Sequence, residues 1–281
     1  MKIHSVKGSS GVDLHVREWG DPAGVGILLI HGWSQNHLCW MKQYESDLQR
    51  DFRVVAFDLR GHGMSDAPLE AEQYTDGDKW ADDIAAIIEQ LALDRPVLVG
   101  WSYGGFIISD YVRKHGQGKI AGINFVEGAV VLSPKVFGTL IGPGFLENAP
   151  RACNMDVPTA IAGIRGLLHS CAVKPIGQDA FETALAADML VHPKVRGSLI
   201  QRDLDFGDVL RTMTLPVLVT HGRSDVVVLP AMSYYILERC RTAQASWYEG
   251  VGHVPFLEEP ERFNRELAAF AQRAHAYSAH A

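Results

Sequence analysis

The chain has 281 residues and a mass of 30.9 kDa, with a net charge of −7 and a pI near 5.9. That length suits one large α/β domain, alone or with an insertion. Lys and Arg form no dense run, which argues against nucleic acid or anionic membrane as a partner, since both are held by clustered positive charge. The opening MKIHSVKGSSGVDLHV lacks an apolar signal core, and no run of about 18 apolar residues offers a membrane span. Cys39, Cys153, Cys171 and Cys240 are scattered and form no CxxC pair, so free thiols and a cytoplasmic setting are expected.

Residues 12–19 (VDLHVREW) alternate apolar and polar side chains, the pattern of a half-exposed antiparallel edge strand. Continuous apolar runs follow at residues 25–30, 53–57, 96–100, 120–126 and 216–220. Strands buried on both faces read this way, which predicts a parallel sheet covered by helices. Between them Trp80, Ile84, Ile87, Ile88 and Leu91 mark one stripe of a helix over residues 76–92. Helices are also expected over residues 103–115 and 260–273, the second with Pro260 in its first turn, and residues 274–281 read as a loosely held tail. This alternation predicts a doubly wound, mostly parallel α/β fold. Residues 131–212 show no clear strand. They read as a helical cap inserted into a core of residues 1–130 and 213–281, over the carboxyl edge of the sheet where such folds bind ligands.

The stretch from Val97 to Gly105 (VLVGWSYGG) places G-x-S-x-G directly after a buried strand and before a helix. Such a turn lifts the Ser102 hydroxyl out of the sheet, at the positive end of the following helix. A serine needs a base to become a nucleophile, so the twelve histidines must be sorted. His4, His15, His115, His192, His275 and His280 lie on edge, surface or tail segments and are expected to be inert. His253 stands in a glycine-flanked loop, GVGHVP, before the last helix, and is the candidate base. Asp225, in HGRSD after the strand at 216–220, is the candidate acid that orients it. Glu127, directly after the strand at 120–126, is a rival for that role and otherwise a pocket-lining or cap-pairing residue. The oxyanion requires backbone N–H donors. Tyr103 follows the nucleophile, and Trp33 lies in the HGWS loop after the first buried strand, where its indole would wall the pocket; His31 and Gly32 shape that turn.

Together these residues resemble the α/β-hydrolase superfamily over residues 12–131 and 212–272, and FDLRGHGMS at 57–65 is similar to its structural D-x-R-G-x-G-x-S turn. The HGW loop and the compact length resemble the cofactor-free bacterial arylesterases, also described as non-haem haloperoxidases or perhydrolases. In that branch a Met or Leu is more familiar at position 103, and Glu127 is an added carboxylate. The resemblance implies hydrolysis of small, uncharged esters or lactones through an acyl-enzyme on Ser102, without metal or organic cofactor. A C–C hydrolase, an acyltransferase or perhydrolase, a hydroxynitrile lyase and a hydrolase-like receptor share the triad. The lyase would need a pocket cation, for which Lys135 is the candidate. Phe137, Leu140, Ile141, Phe145, Leu167 and Leu168 give the cap an apolar character, and Val226, Val227 and Val254 flank the triad. From these, Trp33, Glu127, Phe137, Val227 and Val254 are the expected substrate contacts.

Overall fold

The computed structural model describes residues 1–278. One eight-stranded sheet organises it, built from β1 (Lys2–Lys7), β2 (Asp13–Gly20), β3 (Val25–Ile30), β4 (Phe52–Phe57), β5 (Val97–Trp101), β6 (Gly122–Val126), β9 (Val217–Gly222) and β10 (Ala243–Tyr248). A separate short ladder pairs β7 (Val131–Leu132) with β8 (Leu204–Asp205). The spatial order is β1-β2-β4-β3-β5-β6-β9-β10. β1–β2 and β2–β4 are antiparallel, and every pair from β4–β3 to β9–β10 is parallel. Central strands such as VGILLI in β3 and VLVGW in β5 are buried on both faces, as their unbroken apolar character requires.

Three expectations change. The strand at residues 13–20 is interior, because β1 covers its outer side; β1 (KIHSVK) buries only Val6, so its sequence carries no apolar period to reveal it. The expected tail is instead helical to Ser278 in the helix Pro260–Ser278, with Ala274 fully buried, while residues 279–281, and so His280, lie outside the described residues. The 131–212 segment holds helices at Pro143–Ala152, Val157–Cys171, Gln178–Leu190 and Pro193–Leu199, but it also contributes both strands of the β7–β8 ladder.

Register sets up the site. Ile30 pairs with Gly100, Gly100 with Phe125, and Val126 with Thr220, so β3, β5, β6 and β9 end side by side. The loops that follow them carry Trp33, Ser102, Glu127 and Asp225 to one edge. The 57–65 turn is pinned from both sides. Arg60 donates from Nε and Nη2 to the two Asp83 oxygens at 2.7 Å, reaching the helix Gly77–Gln90. Asp58 accepts from the backbone N–H of His37 and of Met64 at 2.8 and 2.9 Å.

Candidate active site

Ser102 has φ +52°, a left-handed conformation that non-glycine residues rarely adopt. The fold holds it there with three backbone bonds. Its N–H donates to Val126 O at 3.0 Å, and its carbonyl accepts from Gly105 and Ala129 at 3.0 and 2.9 Å. The glycine at each end of the motif is a steric requirement. A Cβ at Gly100 would sit 2.6 Å from Ile108 Cδ1, and one at Gly104 would sit 2.7 Å from the Ile30 carbonyl oxygen. The side chain of Ser102 remains half-buried, facing a cavity.

His253 lines the same cavity. Its backbone is clamped: its N–H donates to Cys171 O at 2.6 Å, and Trp101 Nε1 donates to its carbonyl at 2.9 Å. Its Nδ1 bonds Asp225 Oδ2 at 2.7 Å, fully buried. The other oxygen of Asp225 accepts from Val227 and Val228 N–H at 2.7 and 3.2 Å, which fixes the carboxylate plane. His221 closes the surround, with Nε2 3.4 Å from Asp225 Oδ2 and 3.0 Å from Val228 O, and Nδ1 2.6 Å from Ser233 Oγ.

Burial alone would push the Asp225 carboxyl up. The charge of His253 and the hydrogen bonds from His221 and His253 outweigh it and hold the pKa at about 2. Glu127 goes the other way. Burial, then the neighbouring charge of Asp225, push its carboxyl well above the usual range. The two carboxyls are therefore pushed apart, Asp225 toward its ionised form and Glu127 toward its neutral one.

Glu127 corrects an expectation. It adopts φ +43°, is fully buried, and accepts from Gly222 N–H at 2.8 Å. It thus braces the end of β9 and neither faces the cavity nor pairs with the inserted segment. Phe137 is also misassigned: it is 44 % exposed, in a surface turn bridged to Ile141, and lines no cavity at Ser102. Lys135 is exposed in the same turn and lines no cavity beside Ser102.

The backbone N–H groups of Trp33 and Tyr103 have no protein acceptor among the described residues. Both side chains line the cavity and are anchored at their polar ends. The Trp33 indole donates to Arg196 O at 3.2 Å and the Tyr103 hydroxyl to Leu199 O at 3.1 Å. His31 spends both ring nitrogens on the backbone, Nδ1 on Gly32 O at 2.8 Å and Nε2 accepting from Leu59 N–H at 3.0 Å. Burial pushes its pKa down to about 3, so it stays neutral and shapes the turn. Among the described residues one group with metal-ligating chemistry, His15, His37 and Asp58, joins β2, the segment after β3 and the 57–65 turn. There His37 Nδ1 bonds Asp58 at 2.6 Å, a contact that ties the segment after β3 to the turn.

Around Ser102 the cavity has three parts. A central chamber is lined by Ser102, His253, Trp33, Trp101, Phe145, Leu167, Leu168, Cys171 and Val227, with Gln35 and Asp188 as further polar groups. One apolar lobe continues past Tyr103, Phe106, Leu132, Ile141 and Ile200. A larger lobe shares Gln35, Trp101, Leu168 and Cys171 with the chamber and runs to Ile176, Ala184, Val254 and Leu257. Of the expected contacts, Trp33 and Val227 line the chamber beside Ser102 and Val254 lines the larger lobe. Gln35 and Asp188 were not anticipated. Asp188 sits in the apolar ALAADML end of its helix, where a lone Asp is the only sequence signal.

Fold and site together define an α/β-hydrolase: the profile of the alpha/beta hydrolase family matches residues 27–266, and the chain belongs to that family. Among solved structures it is similar to esterase RhEst1 of Rhodococcus sp. ECU1013, with a TM-score of 0.91, 34% identity, and coverage of 97% of this chain and 99% of that one. Curated relatives include the bifunctional esterase/perhydrolase DCH of Acinetobacter calcoaceticus, 28% identical over 92% of this chain and 96% of that protein. A non-heme chloroperoxidase of Streptomyces lividans is also 28% identical, over 95% of this chain and 99% of that protein. No helix among the described residues is long and apolar enough to cross a membrane.

Proposed function

We propose that the chain is a serine carboxylic ester hydrolase in which Ser102 is the nucleophile, His253 the base and Asp225 the orienting acid. The observation that carries this reading is the buried 2.7 Å bond from His253 Nδ1 to an ionised Asp225, on a histidine that shares its cavity with a serine at φ +52°. With Nδ1–H held by Asp225, Nε2 is the lone-pair nitrogen, free to take the proton of Ser102. Attack on an ester carbonyl forms a tetrahedral oxyanion, for which the Trp33 and Tyr103 amides are the donors. His253 returns the proton to the leaving alcohol, and a water deprotonated by His253 then releases the acid. The residues at 131–212 act as a cap, since Phe145, Leu167, Leu168 and Asp188 close the chamber from that side. Two apolar lobes on either side of the chamber favour an uncharged substrate with apolar groups on both sides of its carbonyl, an ester or a lactone.

Ser102→Ala and His253→Ala are expected to abolish turnover of p-nitrophenyl esters while the circular dichroism and melting temperature stay those of the parent chain. Full turnover in either folded variant overturns the assignment. A second reading, perhydrolysis, is supported by the similarity to a bifunctional esterase/perhydrolase. Hydrogen peroxide would replace water in the second half-reaction, giving a peracid measurable by halide oxidation in the presence of acetate. The lyase alternative loses its cation, because Lys135 is exposed outside the chamber.

A further inference from the structure

Asp188 is 2 % exposed, yet it lines the chamber that holds Ser102 and His253, one helix away in the inserted segment. Burying a charge is costly unless it is paired, and its neighbours do not pair it. The nearest cation, Arg196, donates to three neutral oxygens: Nε to Ser34 Oγ at 3.0 Å, Nη2 to the Asp188 backbone carbonyl at 2.7 Å, and Nη1 to the Ala152 carbonyl. Gln35 Nε2 donates to Asp188 Oδ2 at 2.9 Å, and the Ser34 hydroxyl also bonds the carboxyl, both neutral contacts. The titratable groups that also feel this carboxyl are the thiols of Cys39 and Cys171, which burial pushes up first and Asp188 further, so they are neutral as well. His253 lies across the chamber, committed to Asp225.

We propose that Asp188 is a specificity-determining residue whose carboxylic O–H donates a hydrogen bond to an ether or carbonyl oxygen on the substrate arm that passes it into the larger lobe. The inference rests on the serine hydrolase reading and adds a polar requirement to an otherwise apolar path. Gln35, shared by the chamber and the larger lobe, holds Oδ2 as the acceptor, and the proton is carried by the other oxygen. Burial supports the protonated state, pushing the pKa up to about 8 despite the hydrogen bonds of Ser34 and Gln35 and the charge of Arg196. No other carboxyl lines the chamber.

The test is a ratio of kcat/KM values. p-Nitrophenyl hexanoate is compared with analogues in which one chain methylene is an ether oxygen, and heptyl butyrate with 2-butoxyethyl butyrate by pH-stat, so each substrate arm is probed. In the parent chain at least one oxygen-bearing ester is preferred. Asp188→Leu lowers that preference about tenfold, the worth of one such bond at roughly 1.4 kcal/mol. The parent's preference fades as pH rises through about 8, because a carboxylate cannot donate, whereas Asp188→Asn keeps an N–H donor and a flat profile. An Asp188→Leu ratio within twofold of the parent, or a parent ratio unchanged to pH 9, overturns the proposal. If the leucine variant does not fold, the flat Asn profile against the falling parent profile decides. Ser102→Ala, run alongside, separates the two readings: it removes turnover of every ester, whereas the Asp188 variants change the ratio.

Discussion

Asp225→Asn isolates the proton logic of the site. One Asp225 oxygen is committed to two backbone donors, Val227 and Val228, so an Asn keeps its carbonyl oxygen there and turns its NH2 toward His253. The amide now donates at the position where Nδ1–H donated at 2.7 Å, and two donors face each other. The imidazole escapes by moving its proton to Nε2, the nitrogen that must accept from Ser102. Loss of the correct tautomer and of the imidazolium's counter-charge is worth roughly 10⁴ in kcat, or about 5.5 kcal/mol of transition-state stabilisation. The assay is kcat and KM for a p-nitrophenyl ester with the melting temperature measured in parallel. Glu127→Gln is the matched control, because burial favours the neutral form of that carboxyl and it is bonded to Gly222, and it should stay within a few-fold of the parent. Asp225→Asn activity within tenfold of the parent, or a 10⁴-fold loss in Glu127→Gln, refutes the reasoning.

Two further outcomes follow from the backbone and the charges. Gly104→Ala puts a methyl group 2.7 Å from the Ile30 carbonyl oxygen, and the resulting shift at the elbow should destabilise by about 1–3 kcal/mol and depress kcat. Gly118→Ala, with open space around it, should leave the stability within about 0.5 kcal/mol of the parent, and equal melting of the two variants would contradict the steric account. In acid, Asp225 and Asp58 both have folded pKa values of about 2, below the ordinary 3.8; their stabilisation, about 2 kcal/mol each, is complete above pH 4 and lost as pH falls toward 2. Asp225→Asn should flatten that part of the curve, and an unchanged acid limb would show that the buried pair carries no such linkage.

The sequence exposes the parts of this protein whose chemistry is local. Strands β3, β5, β6 and β9 are legible because burial on both faces leaves an unbroken apolar run, and the elbow is legible because two glycines and a serine are needed within five residues. Boundaries shift where ladder bonding decides them: Pro96 has no N–H to donate and β5 begins at Val97, and residues 120–121 precede the ladder of β6. Edge strand β1 and the carboxyl-terminal end of the last helix were illegible, the first for want of an apolar period, the second because AHAYS is weakly patterned although Ala274 is buried. Glu127 was visible by position, but its direction depends on a left-handed φ and on Gly222, a residue 95 positions away. Gln35 meets Asp188, and Ser34 meets Arg196, only through tertiary packing, across separations of 153 and 162 residues, and no local pattern announces them.

Arg196 carries one more consequence. Its guanidinium joins Ser34, beside the Trp33 amide, to Ala152 and Asp188, and its own carbonyl receives the Trp33 indole. The inserted helices and the loop after β3 are therefore one mechanical part, although more than a hundred residues separate them in the chain. Recombination that exchanges the 131–212 segment between relatives, in nature or in the laboratory, brings a new partner to that loop and disturbs the amide geometry along with the chamber wall. Under the proposed function, a graft meant to keep turnover has to move residues 33–35 together with the helices above them, because Arg196 ties the two stretches to each other.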